Sequence, residues 1–194
     1  RKNPKSNIFF SSKGHDAPAL YNVLISEGLL EFENIFNLRR INGLPGHPDI
    51  NTNNIITNTG SLGMGISKAK GMISADRLKG NKKQYFVLLG DGELQEGQIW
   101  EAAMYAAHHK VDNILSFIDF NGQQIDGSTD DVMSLGDLAG KWKAFGWRVL
   151  TCDGHDFADL QRVIEEAHGH RGSGIPTVVL MQTDMGKGVD FMEG

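Results

Sequence analysis

Gly90-Asp91-Gly92 and Asn121-Gly122 each follow a short apolar run, Tyr85-Phe86-Val87-Leu88-Leu89 in one case and Ile114-Leu115-Ser116-Phe117-Ile118 in the other. Such runs are expected for strands buried on both faces. Asp91 and Asn121 are thirty positions apart with one helical segment between them, the length of a βαβ unit that sets strand ends side by side. A carboxylate and an amide oxygen would then converge on one point. A hard dication such as Mg²⁺ takes about six oxygen ligands at ~2.0–2.1 Å, several of them from water or a phosphate ligand. One carboxylate, one amide oxygen and one backbone carbonyl leave room for a diphosphate. The glycines beside Asp91 admit phosphate oxygens without a Cβ in the way, and Gly92 can offer its amide to an anion. Asp and Gly are also common in ordinary strand-to-helix turns, so Gly-Asp-Gly alone does not separate the two readings.

The elements that must carry these residues alternate in type. Leu20, Val23, Leu24 and Leu30 recur near helical spacing from Ala17 to Leu30, with Gly28 near a plausible end. A loop rich in Asn, Thr, Gly and Pro, including Asn42-Gly43-Leu44-Pro45-Gly46-His47-Pro48, runs into Thr59-Gly60-Ser61-Leu62-Gly63-Met64-Gly65. A helix over Ile66 to Leu78 follows, then the first apolar run, an alanine-rich helix from about Gly97 to His109, and the second run. A third strand near Trp147 to Leu150, a helix over Ala158 to Ala167 and a fourth strand at Thr177 to Leu180 complete the pattern. Alternation of this kind predicts an α/β fold with a parallel β-sheet flanked by helices, whose ligands bind at the carboxyl ends of the strands.

With 194 residues and 40% hydrophobic content, the chain has material for one sizeable core and no room for a second full domain. A net charge of −5 and scattered basic residues argue against nucleic acid as the main partner. The single cysteine, Cys152, excludes an internal disulfide framework and fits a reducing compartment, with the cytoplasm as the default. No apolar run approaches the ~20 residues needed to cross a bilayer, and Arg1-Lys2-Asn3-Pro4-Lys5 lacks the apolar stretch of a secretory signal. A start at Arg1 and a stop at Gly194, just after a Gly-Lys-Gly loop, lead to the expectation of a single domain over 1–194 truncated at both ends.

Read at greater length, the two strand ends are Gly90-Asp91-Gly92-Glu93-Leu94-Gln95-Glu96-Gly97 and Asp119-Phe120-Asn121-Gly122-Gln123-Gln124-Ile125-Asp126-Gly127. Here the sequence closely resembles transketolases, in particular the amino-terminal half of the kind split into two subunits. Ser12-Lys13-Gly14-His15, Gly46-His47-Pro48, Thr59-Gly60-Ser61-Leu62-Gly63, Phe145-Gly146-Trp147, Asp153-Gly154-His155 and Gly186-Lys187-Gly188 extend the resemblance over nearly the whole chain.

The resemblance implies a diphosphate-binding domain of the thiamine-diphosphate fold. It implies that Asp91, the Asn121 side chain and the backbone carbonyl of Gln123 bind Mg²⁺, with Ca²⁺ or Mn²⁺ as substitutes, and that the metal holds the diphosphate. By the same resemblance Gly92 and the Gly60-Ser61-Leu62 turn touch the cofactor, Leu62 and Ile125 give apolar contact to its rings, and His15 and His47 stand at the mouth of the site. Histidine suits that place because its ordinary pKa near 6.5 lets it donate or accept a proton at neutral pH. Glu96 and Glu101 match acidic residues that link paired active sites across a subunit interface. His108, His109, His168 and His170 gain no such support.

The activity implied is transfer of a two-carbon ketol unit from a ketose to an aldose, commonly phosphorylated, as in the pentose phosphate pathway. The glutamate that activates the cofactor in that family belongs to a second domain not found in this sequence. The implied partner is therefore a carboxy-terminal subunit carrying the pyrimidine-binding domain, in a hetero-tetramer or another dimer-based assembly, and the isolated chain is expected to be inactive. Met185 stands where many relatives have lysine. Three alternatives stay open: an enzyme resembling 1-deoxyxylulose-phosphate synthase, a sulfosugar-processing relative, and a non-catalytic remnant of the fold. A dinucleotide-binding domain fits less well, since the glycines from Gly60 run Gly-x-x-Gly-x-Gly instead of Gly-x-Gly-x-x-Gly.

Overall fold

The computed structural model describes residues 7–193; Arg1 to Ser6 and Gly194, on which the leader and chain-end expectations fall, lie outside the described residues. The chain forms β1 (Ile8–Ser11), α1 (Ala17–Ser26), a 3-10 turn (Phe32–Asn37), α2 (Gly65–Leu78) and β2 (Tyr85–Gly90). A second 3-10 turn (Gly92–Gln95), α3 (Gly97–His108) and β3 (Ile114–Phe120) follow. A hairpin of β4 (Gln123–Gln124) and β5 (Gly127–Ser128) leads to α4 (Thr129–Met133) and α5 (Leu138–Ala144). Then come β6 (Arg148–Asp153), α6 (Phe157–Gly169) and β7 (Thr177–Gln182).

Five strands form one sheet in the order β1-β2-β3-β7-β6, and every pairing in it is parallel. The alternating direction of side chains along a strand sorts the apolar residues into two layers. On one face Val87, Leu89, Ile114, Ile118, Val178 and Leu180 pack with residues of α2, α3 and α5. On the other, Leu115, Phe117 and Val179 meet Val163 and Ala167 of α6, with Cys152 among them. Burial on both faces explains why β2 and β3 read as nearly unbroken apolar runs. α3 buries Ile99, Ala102, Ala103 and Ala106, a stripe at helical spacing whose small residues let it lie close to the sheet. α1 instead joins the long loop: Ala17 and Tyr21 pack on Leu44 and Ile55, and the Tyr21 hydroxyl donates to the carbonyl of Pro45 at 2.9 Å.

The strands and helices read from the sequence are present, with most ends moved by one to three residues. α1 stops at Ser26, and Gly28 beyond it takes φ 65°. Five elements were not anticipated: β1 at the sheet edge, β4 and β5 of the hairpin, and the short helices α4 and α5. Among the described residues no helix is long and apolar enough to cross a membrane.

Candidate functional site

β2 and β3 are neighbours in register, with Gly90 opposite Asp119, so Asp91 and Asn121 leave the same edge of the sheet side by side. Asp91 is 1% exposed. Its Oδ1 accepts the amide of Gly92 at 2.7 Å, and its Oδ2 accepts the amide of Gly122 at 2.6 Å. Burial pushes its carboxyl above the ordinary range, against the pull of those two amides; a cation held beside it would act in the opposite direction. Asp91 is thus the N-cap of the 3-10 turn, and the Gly92 amide, expected to be offered to an anion, donates to this carboxylate. Asn121 Oδ1 accepts the amide of Gln123 at 2.9 Å, which fixes the side chain toward the β4–β5 hairpin.

Asp91, Asn121 and Gln123 border one cavity of about 710 Å³, together with His15, Leu62, Gly92, Glu96 and Ile125 of the expected set. The carbonyl oxygen of Gln123 lies 3.9 Å from the point where a Cβ on Gly92 would stand. Among the described residues no group of three or more His, Cys, Asp or Glu side chains is placed to hold a metal. The candidate set is instead a carboxylate, an amide oxygen and a main-chain carbonyl, hard donors that suit a small dication completed by phosphate and water oxygens. Gln124, whose side-chain oxygen is buried without a hydrogen-bond partner, lines the same cavity.

Gly60, Ser61 and His47 stand beside this cavity without lining it. His47 packs on Gly60, its ring 3.5 Å from where a Cβ would stand there. Gly14, at φ 77°, approaches Thr59 and the amide of Gly60 so closely that a Cβ would sit within 2.9 Å of that nitrogen. The loops bearing His15, His47 and Gly60 are therefore packed together at one rim, with both histidines exposed. Glu96 and Glu101 are exposed at the start and on the outer face of α3. Ile125, at the hairpin tip, is 99% exposed. His108, His109 and His168 are exposed, as expected of histidines outside the site.

Two buried ionic arrangements were not read from the sequence. The Lys13 ammonium donates to Asp119 Oδ2, and the Thr183 hydroxyl donates to Asp119 Oδ1. Burial acts to raise the Asp119 carboxyl, but Lys13 and the hydroxyl outweigh it and hold it below the usual carboxylate range. Glu93, 3% exposed, accepts from the Ser12 hydroxyl and from the amides of Gly63 at 2.8 Å and Gly90 at 3.2 Å. Burial pushes its carboxyl up, opposed by those donors. Its partners lie up to 81 positions away, so only the Gly-Asp-Gly-Glu neighbourhood offered a signal.

A parallel sheet with an oxygen-donor cluster at the carboxyl ends of two neighbouring strands defines an α/β domain of the kind that binds its ligand at that edge. Residues 2–194 match the family model described as "Transketolase, thiamine diphosphate binding domain". The chain is 41% identical over 193 residues to the 6-deoxy-6-sulfo-D-fructose transketolase subunit SqwG of Clostridium sp. (strain MSTE9), covering 98% of this chain and 70% of that one. It is 39% identical over 194 residues to one of the subunits of the apulose-4-phosphate transketolase of Phocaeicola vulgatus, with 100% and 68% covered. The crystal structure of transketolase from Campylobacter jejuni superposes with a TM-score of 0.91 at 30% identity, covering 99% of this chain and 32% of that chain. The chain belongs to the transketolase family and carries its thiamine diphosphate-binding domain. It spans about 70% of the length of the similar subunits and about a third of the single-chain enzyme.

Proposed function

We propose that this chain supplies the metal- and diphosphate-binding half of an enzyme that transfers a two-carbon ketol unit from a ketose to an aldose, and that residues 1–194 act as one domain in that task. The observation that carries this reading is the convergence of Asp91, Asn121 and Gln123 on one cavity with His15, Leu62 and Ile125. Asp91, Asn121 Oδ1 and the Gln123 carbonyl would hold Mg²⁺, and the dication would offset the charge of a diphosphate. Gly92 and the Gly60-Ser61-Leu62 turn would border the cofactor, with Leu62 and Ile125 against its rings and Glu96 near by. When bound, thiamine diphosphate supplies a carbon nucleophile and an electron sink for cleaving the bond beside a ketose carbonyl. His15 and His47 would donate or accept protons at the sugar hydroxyls, and the rigid strand ends keep the donors in place.

The partner in this reading is a second chain with the pyrimidine-binding domain. Two observations support it: the similar proteins carry the designation of subunits, and Ile125 projects from the cavity wall almost fully exposed. The substrate in this reading is an anionic ketose. The names of the similar subunits, for 6-deoxy-6-sulfo-D-fructose and apulose 4-phosphate, favour a less common sugar over those of the pentose phosphate pathway as a second reading. The test is to purify the full-length chain with its partner and assay ketol transfer from a panel of ketose phosphates and sulfonates, with thiamine diphosphate and Mg²⁺. Activity should require both chains and be lost in Asp91→Ala. Transfer that persists unchanged in that variant would overturn the proposal.

A further inference from the structure

We infer that Glu93 is the positioning residue that sets the spacing between the three loops of the cofactor site; the inference rests on the function proposed above. Each bond that Glu93 accepts comes from a residue adjoining a different site segment. Ser12 begins Ser12-Lys13-Gly14-His15, Gly63 follows the Gly60-Ser61-Leu62 turn, and Gly90 precedes Asp91. The Ser12 hydroxyl is shared: while donating to Glu93 it accepts the amide of Gly65 at 3.0 Å, the first residue of α2. One buried carboxylate thereby holds the end of β1, the start of α2 and the end of β2 at fixed separations.

The chemistry of the hub calls for an acceptor with no hydrogen of its own. Three donors face two carboxylate oxygens, and Glu93 and Ser12 are 3% and 5% exposed, so water does not readily replace a lost partner. The backbone has little slack around it. Gly63 takes φ 80°, and a Cβ there would sit 2.7 Å from the Cβ of Glu96. Glu93 borders the cavity wall, yet its oxygens are engaged by these donors, so its effect on a ligand passes through the loops. Glutamine in its place would turn an NH₂ group toward an amide or hydroxyl donor and let one loop drift. A misplacement of about 1 Å can cost as much as a hundredfold in a site built on fixed geometry.

The experiment uses the full-length chain assembled with its partner. Wild type, Glu93→Gln, Ser12→Ala and the double variant are titrated with thiamine diphosphate in saturating Mg²⁺ and followed by calorimetry. Cofactor KM and kcat are measured in parallel. Glu93→Gln and Ser12→Ala should each weaken cofactor binding by about tenfold or more, with kcat at saturating cofactor falling by a smaller factor than the affinity. The double variant should lose much less than the product of the two, because both act on one hub. If Glu93→Gln does not assemble, Ser12→Ala and its more conservative counterpart Ser12→Thr carry the test, with threonine restoring affinity. Cofactor affinity within twofold of wild type in Glu93→Gln, or in Ser12→Ala when only that variant assembles, overturns the inference and leaves the proposed function standing. A wild-type assembly that binds no thiamine diphosphate overturns both.

Discussion

Asp91 and Gly122 are joined at 2.6 Å, carboxylate to backbone amide, across the tips of two neighbouring parallel strands. The bond ties chain reversals thirty-one positions apart through the residue proposed as a metal ligand. Because the other oxygen of Asp91 accepts from Gly92, the side chain is held in one orientation before any cation arrives. Each oxygen keeps a free lone pair for a metal. Burial leaves this carboxylate poorly solvated, so a dication binding there would also stabilise the fold.

The coupling predicts a stability shift. In saturating Mg²⁺, thiamine diphosphate at a hundredfold excess over its Kd should stabilise the assembly by about 2.7 kcal/mol, read as a rise in thermal midpoint. Chelation with EDTA should remove the rise, and Mn²⁺ or Ca²⁺ should restore part of it. Asp91→Ala should show no ligand-dependent rise at all. A rise in EDTA equal to that in Mg²⁺ would contradict a metal-held diphosphate.

Lys13 and Asp119 form the second ionic element, and Lys13 is buried to 8% exposure. Lys13→Met keeps the aliphatic stem but leaves Asp119 without its cation. Removing one partner of a buried pair costs about 3–5 kcal/mol; the 23% exposure of the Asp119 side chain should bring the loss below that range. The combined Lys13→Met and Asp119→Leu variant should recover part of the stability, since no charge is then stranded. Denaturant midpoints of wild type and the two variants check this, and equal losses in single and double variants would refute it.

How far the sequence revealed the molecule depended on the range of the interaction concerned. β2, β3 and β7 were legible because burial on both faces writes a continuous apolar run, and Asp91 and Asn121 stood out as polar residues ending two of them. β1 went unread because Ile8-Phe9-Phe10 is only three apolar residues beside a polar leader. The β4–β5 hairpin has two residues a side, too few for period-two alternation, and depends on Gly127 at φ 136°. Glu93 and Lys13 were illegible as hubs, since their partners at 81 and 106 positions away come together only when the parallel sheet forms.

Asp76 on α2 should control stability in acid. The Tyr85 hydroxyl donates to its Oδ2 at 2.6 Å, Asn81 donates to its Oδ1 at 3.0 Å, and Lys83 lies 3.7 Å away. The Tyr85 hydrogen bond foremost, then that of Asn81, holds its carboxyl below the ordinary value despite burial. A carboxyl depressed in the folded state contributes stability that is fully present above the unfolded pKa of about 3.9 and is lost as pH falls through the folded value. Unfolding midpoints from pH 6 down to pH 2.5 should therefore fall more steeply for wild type than for Asp76→Asn, the two curves converging in acid. Tyr85→Phe should flatten the curve and cost about 1–3 kcal/mol near neutrality. Parallel wild-type and Asp76→Asn curves would rule out this role.

Met185 leaves the cavity short of positive charge. Lys13 shares the lining with the carboxylates of Asp91, Glu93, Glu96 and Asp126, and its ammonium is already committed to Asp119. A dication at the proposed site would therefore carry most of the work of attracting a diphosphate. Met185 lines the same cavity and is half exposed, so a lysine there would reach the rim without displacing packed core. Met185→Lys should tighten thiamine diphosphate binding by roughly twofold to fivefold at low salt, the size expected of a partly exposed charge contact. The gain should shrink as ionic strength rises through about 0.15 M, where screening acts over ~8 Å. Affinity unchanged at low salt would place position 185 out of reach of the diphosphate; a gain insensitive to salt would point to a contact other than charge.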